Sequence, residues 1–222
     1  MSFYERLQKE TQQSQNYLMS APIIHRAMTK NFTLQDYVAF LLQAYHHVKH
    51  TTPLLMATGA KINGSREWLR EAVAEYIEEE LGHQEWILND IEACGYDKEK
   101  ARNSRPNMST ELMVAYTYDS INRISPLTFF GLVQVLEGTS VQIADLTAQK
   151  VQQHLDLPQQ AFSYLYSHGK LDQDHIQFFE KLMDQIVEEQ EQDHIIHAAQ
   201  HFYHLYGNIL RELSPEQVKH IA

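Results

Sequence analysis

Apolar residues along this chain recur at intervals of three and four and almost never alternate, so the pattern predicts helices throughout and an all-α fold. A first helix is expected over 3–19. After an "APIIHRAM" turn, Thr33 and Asp36 form a capping-box pattern, with Asp where Glu is usual, and open a helix to about 57. Its seam is Leu34, Val38, Leu41, Tyr45 and Val48, and Pro53 is placed to kink its last turn. Ser65 is read as the cap of one helix running to about Cys94, where Gly95 stops it. Ser109 starts a shorter helix ending near Arg123. Ser125-Pro126 opens a long one to about 154. Pro158 begins a short helix, followed by one to about 187 and a last to about 212, with Ser214-Pro215 as a further cap. No internal repeat, low-complexity tract or linker divides the chain, so residues 1–222 are expected to form one domain.

The informative positions are those where a polar residue falls on an apolar seam. In the 66–93 segment the seam reads Leu69, Val73, Tyr76, Glu80, His83, Ile87 and Ile91, one helical face with an acid and an imidazole in its middle. Glu79 reaches His83 at a spacing of four, so the choice of Glu80 over Glu79 stays open. The 126–154 segment is apolar nearly all round from Phe129 to Leu146 and is expected to be central and buried, yet it carries Glu137. A lone buried carboxylate costs several kcal/mol unless it is paired or bound to a cation. In "LYSHGKLDQDHIQFF", His168, Asp172 and His175 fall within about 60° of one another around a helix, and their seam continues as Phe179, Leu182 and Ile186.

Each of these has a plainer reading. An ExxH pair on an acidic helix is usually surface charge. The His168 group is also consistent with a helix-start cap. Glu137 is also consistent with an arginine partner, or with acid–base work at a raised pKa. Taken together, three carboxylates and three imidazoles on core faces of three helices match the supply of a carboxylate-bridged dimetal site.

Composition narrows the chemistry. Hydrophobic residues make up 43% of the 222, enough for a sizeable core, and the net charge of −11 with no Lys/Arg cluster argues against nucleic acid and anionic membranes. No leader is expected from "MSFYERLQKETQQSQ", nor any apolar run near the ~20 residues of a membrane span, so the expected home is the cytoplasm. Cys94 is the sole cysteine, which excludes a thiolate cluster; thirteen histidines point any metal chemistry to imidazole and carboxylate, hence to iron, manganese or zinc.

Glu80-x2-His83, Glu137 and His168-x3-Asp172-x2-His175 resemble the ligand pattern of the haem-oxygenase-like dimetal oxidases, and "YVAFLLQAYHHVKH" is similar to the second helix of the TenA-like fold. The ExxH spacing is similar to that of the iron-dependent fatty-acid decarboxylase that makes terminal alkenes. Other members place the histidine seven residues after the glutamate, and Tyr76 occupies that earlier position here.

The resemblance implies a single-domain haem-oxygenase-like, TenA-like bundle of about seven to nine helices. It implies one metal held by Glu80, His83 and a bridging Glu137, and a second held by His168, Asp172 and His175 with that bridge. Glu137 and His83 are then the residues nearest the chemistry. The cofactors implied are two irons, with manganese or one empty site as alternatives, and O2 as co-substrate. A peroxo species would abstract hydrogen from, or oxygenate, a small organic substrate. A homodimer is left open and the electron donor unassigned. Tyr45, Tyr116, Tyr118, Phe129 and Phe130 are candidates to line the pocket.

Three alternatives share the fold: a TenA-like thiamin-pyrimidine hydrolase using Cys94, a quinone-synthase-like cofactorless oxidase, and a non-catalytic binding protein. Cys94, closing a helix before Gly95, is expected to be a buried inert thiol. His25 raises a haem reading, which the wide separation of Gly131 and Gly138 disfavours. The stripe His194, His197, His201, His204 is expected on a solvated or subunit-contact face, and His46, His47 and His50 off the seam of the second helix, without a ligand role.

Overall fold

A computed structural model describes residues 1–29 and 31–222; the side chains of 168–175 lie outside the described residues. Among the described residues there are helices and no strands, as the spacing predicted. The eleven helices are α1 (Phe3–Met19), α2 (Pro22–Ala27), α3 (Leu34–Val48), α4 (Thr51–Lys61), α5 (Glu67–Glu80), α6 (His83–Ala93), α7 (Lys98–Arg102), α8 (Met108–Arg123), α9 (Phe129–Leu155), α10 (Ser163–Met183) and α11 (Glu189–Glu212).

This exceeds the expected number because two predicted helices are broken and two short ones went unseen. The 34–57 stretch divides at Lys49-His50, ahead of Pro53, into α3 and α4. The 66–93 stretch divides at Leu81-Gly82. Gly82 takes φ +91°, a left-handed conformation open to glycine at little cost, so the chain turns and restarts as α6 at His83. The short α2 and α7 carry too few residues to show a period. Several caps are as expected or two residues away. Thr33 and Asp36 make the predicted reciprocal box, with Arg26 adding an ion pair to buried Asp36 at 2.9 Å. Asn107, not Ser109, caps α8, and Asn63, not Ser65, caps the turn before α5.

The two long helices α9 and α11 form the middle of the bundle. α9 packs against α10 and α11; α11 also packs against α1 and α8; α3 lies on α6 and α4 on α5. From Phe129 to Val135 every residue of α9 is buried, as its all-round apolar sequence requires. Beyond Glu137 the expectation fails: Gln142 and Asp145 are exposed and Leu146 is 50% exposed, while the neighbouring positions face a cavity. By length and composition Pro126–Leu155 is also long and apolar enough to cross a membrane, against expectation; 61% of its apolar window is buried within the protein, as in a core helix.

α9 and α11 approach each other closely at Gly131. A Cβ there would stand 2.7 Å from the Ala199 nitrogen and 2.9 Å from the Ile195 carbonyl oxygen, both backbone atoms that cannot swing aside. Gly131→Ala should therefore force the helices apart and cost roughly 1–3 kcal/mol in urea unfolding; unchanged stability would show that the contact is looser than described.

Candidate active site

The break at Gly82 leaves Glu80 as the last residue of α5 and His83 as the first of α6. They nevertheless meet: Nδ1 of His83 lies 3.0 Å from Oε2 of Glu80. His83 is 2% exposed, and its ring rests on the Trp86 ring one turn along α6, with centroids 4.1 Å apart. Glu79 is exposed, and Glu80 is the acid hydrogen-bonded to the imidazole. The free N-terminal amides of α6 favour the Glu80 carboxylate at that end.

Glu80 and Glu137 line the same cavity. Its wall runs along α9 from Phe129 to Thr147 and is otherwise mostly aliphatic and aromatic. Of the aromatic residues proposed for it, Phe129 takes part; Phe130, fully buried, Tyr45, Tyr116 and Tyr118 do not line it. Phe32, Tyr37, Phe40, Tyr76, Tyr164 and Tyr206 supply the other rings. Tyr37 and Tyr76 sit on apolar seams at helical spacing and read in sequence as ordinary core; only packing shows that they border a void.

Carboxylate and imidazole are donors that iron accepts. Two donors about 2.0–2.2 Å from one ion stand about 3 Å apart when they subtend a right angle, the separation of Oε2 and Nδ1 here. A hydrogen bond has the same length, so it is the donor chemistry of the pair, and not its spacing, that suits an ion. Glu137 faces the same space without closing on Glu80 and His83, and no group of three or more His, Cys, Asp or Glu side chains converges among the described residues. His168, Asp172 and His175 fall on α10 at positions whose side chains lie outside the described residues.

The other candidates are dispersed. His25 is exposed and does not line the cavity, which removes the motive for a haem axial ligand. Cys94 is buried away from the cavity wall, and burial together with nearby Asp90 pushes its thiol up to about 12, so it is no nucleophile at neutral pH. His46 is buried, bonded to Ser104 Oγ at 2.8 Å; burial, with Lys49 and then His50 and His220 adding, drives it down to about 3. His50 Nδ1 lies 3.2 Å from the Tyr118 hydroxyl, and the His47 ring meets Tyr206 edge-on. His197, His201 and His204 are exposed, with His201 stacked on Tyr116 and His204 against Tyr17.

One buried acid was missed. Asp90 is 0% exposed and seven residues from His83, on the same face of α6; that spacing was the available signal. It caps α10 from another helix: Oδ1 accepts from the Ser163 nitrogen at 3.1 Å and from the Ser163 hydroxyl, and Oδ2 accepts from the Tyr164 nitrogen at 2.9 Å. The residue preceding α10, Phe162, offers no side-chain cap of its own. Asp90 thus ties the helix that starts at His83 to the helix whose sequence holds His168, Asp172 and His175. Burial outweighs these three hydrogen bonds and raises its carboxyl to about 6.

Residues 38–207 match the model of a family described as iron-containing redox enzymes. No curated protein matches the sequence. Many solved structures share the fold, three of which follow. A domain of unknown function with a haem oxygenase-like fold from Shewanella denitrificans OS217 is similar at 23% identity and TM-score 0.86, over 96% of this chain and 92% of that one. A TenA homologue from Pseudomonas syringae pv. tomato DC3000 has 12% identity and TM-score 0.81, over 95% and 92%. The haem oxygenase of Leptospira interrogans has 16% identity and TM-score 0.74, over 96% and 100%. At these identities the likeness establishes the all-α haem-oxygenase-like fold and nothing finer.

The raised carboxyl of Asp90 has a definite sign. Its contribution to stability is fully present below the unfolded value of about 3.9 and is lost as pH rises through about 6. Wild-type stability minus that of Asp90→Asn, from urea unfolding, should therefore fall between pH 4 and pH 6; a flat difference would mean that the three hydrogen bonds fully offset burial, and a rise that they outweigh it. Asp90→Ala should cost roughly 2–4 kcal/mol by orphaning the start of α10.

Proposed function

The chain belongs to the iron-containing redox enzyme family, and from that premise we propose that it is a non-haem, O2-dependent oxidoreductase of a small organic substrate. Iron is held by Glu80, His83 and Glu137, and by His168, Asp172 and His175 of α10. The observation that carries this reading is the 3.0 Å approach of His83 to Glu80, with Glu80 and Glu137 on the wall of one apolar cavity. A carboxylate on so apolar a wall is what a resident cation makes affordable.

Iron bound there would supply the oxidising chemistry with O2. The chain's own residues do the rest. Trp86 and the turn at Gly82 hold the His83 ring against Glu80. The aliphatic wall of α9, Leu132, Val133 and Leu136, keeps water from the substrate and packs its apolar part. Asp90 and Gly131 fix the helices on which the donors ride.

The hydrolase reading is weaker because Cys94 is neither in the cavity wall nor ionised near neutral pH. The haem reading is weaker because His25 is exposed.

Anaerobic Fe(II) titration followed by elemental analysis should give about two irons per chain in the wild type. Glu137→Gln and His83→Ala should each weaken binding by at least about tenfold, with Tm in the absence of iron serving as the control for folding. Wild-type protein that takes up no iron, or a Glu137→Ala/His175→Ala variant that binds as wild type does, would sink the proposal.

A further inference from the structure

Four histidines of α11 stand outside the site described above. His194, His197, His201 and His204 recur at intervals of three, four and three, so they share one stripe of the helix. His197 and His201, both exposed, are one turn apart, with ring centroids 4.2 Å apart and the planes inclined at 50°. Two imidazoles at a spacing of four on one helical face are an arrangement by which helices hold a divalent transition metal.

Two contacts prepare His201 for that role. Its Nδ1 lies 2.7 Å from the carbonyl oxygen of His197. A carbonyl only accepts, so Nδ1 carries the proton, and the lone pair of the neutral ring is left on Nε2. A second ring nitrogen donating to a backbone carbonyl is the usual support of a metal-binding histidine. The Tyr116 ring, stacked on His201 with centroids 5.5 Å apart, holds the plane of the imidazole. His197 is shifted toward its neutral form, first by partial loss of hydration and then by the neighbouring His201 and His194, so it too offers a lone pair. The acids nearest in sequence, Glu191 and Asp193, are paired with Arg66 and Arg6. No group of three donors converges among the described residues, so water fills the remaining coordination positions.

We propose that His197 and His201 form a metal site of their own on the outer face of α11, separate from the donors of α5, α6 and α9, and that its ligand is a hydrated late divalent ion such as zinc, nickel or copper. Imidazole nitrogen selects these over magnesium and calcium, which prefer oxygen. The two ligands bracket Ala199, whose backbone nitrogen stands where α9 closes on α11 at Gly131. The ion therefore staples the turn of α11 that carries the helix contact, and its binding stabilises the fold by mass action. This site requires no part of the redox reading above.

Calorimetric titration of the iron-free protein with zinc chloride tests this, with magnesium chloride as the control ion. The wild type is compared with His197→Gln/His201→Gln, His204→Gln and His83→Ala. The double variant should lose at least about tenfold in affinity at one zinc site, and that site should persist in His204→Gln and His83→Ala. Zinc should raise the Tm of the wild type more than that of the double variant, whose iron uptake should match the wild type. His197→Gln alone leaves the stack of His201 on Tyr116 in place; it should weaken the same site, and it decides the matter if the double variant is unstable without metal. The proposal is overturned if the wild type binds zinc no more tightly than these variants do, if magnesium binds as zinc does, or if His204→Gln removes the site as fully. A fall in iron uptake in the folded double variant would likewise overturn it, by showing that the two sites are not separate.

Discussion

The backbone contact between α9 and α11 at Gly131 sets where everything else in the site can stand. With no side chain between them, the two helices close until Ala199 and Ile195 occupy the space that a Cβ would need. That approach fixes the depth of α9 in the bundle, and Glu137 follows less than two turns later. Up to Val135 the helix is surrounded. From Glu137 onward its outer face is partly uncovered, while its inner face walls the cavity along the whole stretch from Phe129 to Thr147. One helix thus serves as both core and cavity wall, with a carboxylate in the middle of that wall.

The second constraint is the interruption at Leu81-Gly82. An unbroken helix over 66–93 would carry its whole apolar seam along one straight face. The left-handed turn at Gly82 instead lets α5 follow α4 while α6 follows α3. Glu80 and His83 end up as neighbours across a joint, so their contact depends on two packing interfaces. A donor pair at such a joint is held by the fold as a whole, which suits a site that must keep its geometry while empty. Asp90 performs the same service two turns further along α6, where it holds the start of α10 by its backbone amides.

The histidines show how far location decides chemistry. His46 is sealed in, bonded to Ser104 and kept neutral by burial. His83 is equally buried but faces a carboxylate. His197, His201 and His204 lie in water on the far side of α11, where rings stack and no group of three metal donors forms among the described residues. The residue type is the same in each case, and the dielectric and the partner differ.

The all-α fold and most of the outer ends of the long helices were legible in the sequence, because capping residues and a period of three to four act locally and need no knowledge of distant neighbours. Thr33 with Asp36 and Ser125 with Pro126 announce helix starts wherever the rest of the chain lies. The intrusion of Glu80, His83 and Glu137 into apolar seams was legible for the same reason. What the pattern could not supply was the turn at Gly82, since a single glycine inside a helical period is tolerated as often as it breaks the helix. Nor could it supply the choice between Glu79 and Glu80, the trans-cap at Asp90, or the aromatic residues that border the void. Those depend on which helices pack together, and periodicity identifies an inward face without saying whether a side chain, a hollow or another backbone meets it there.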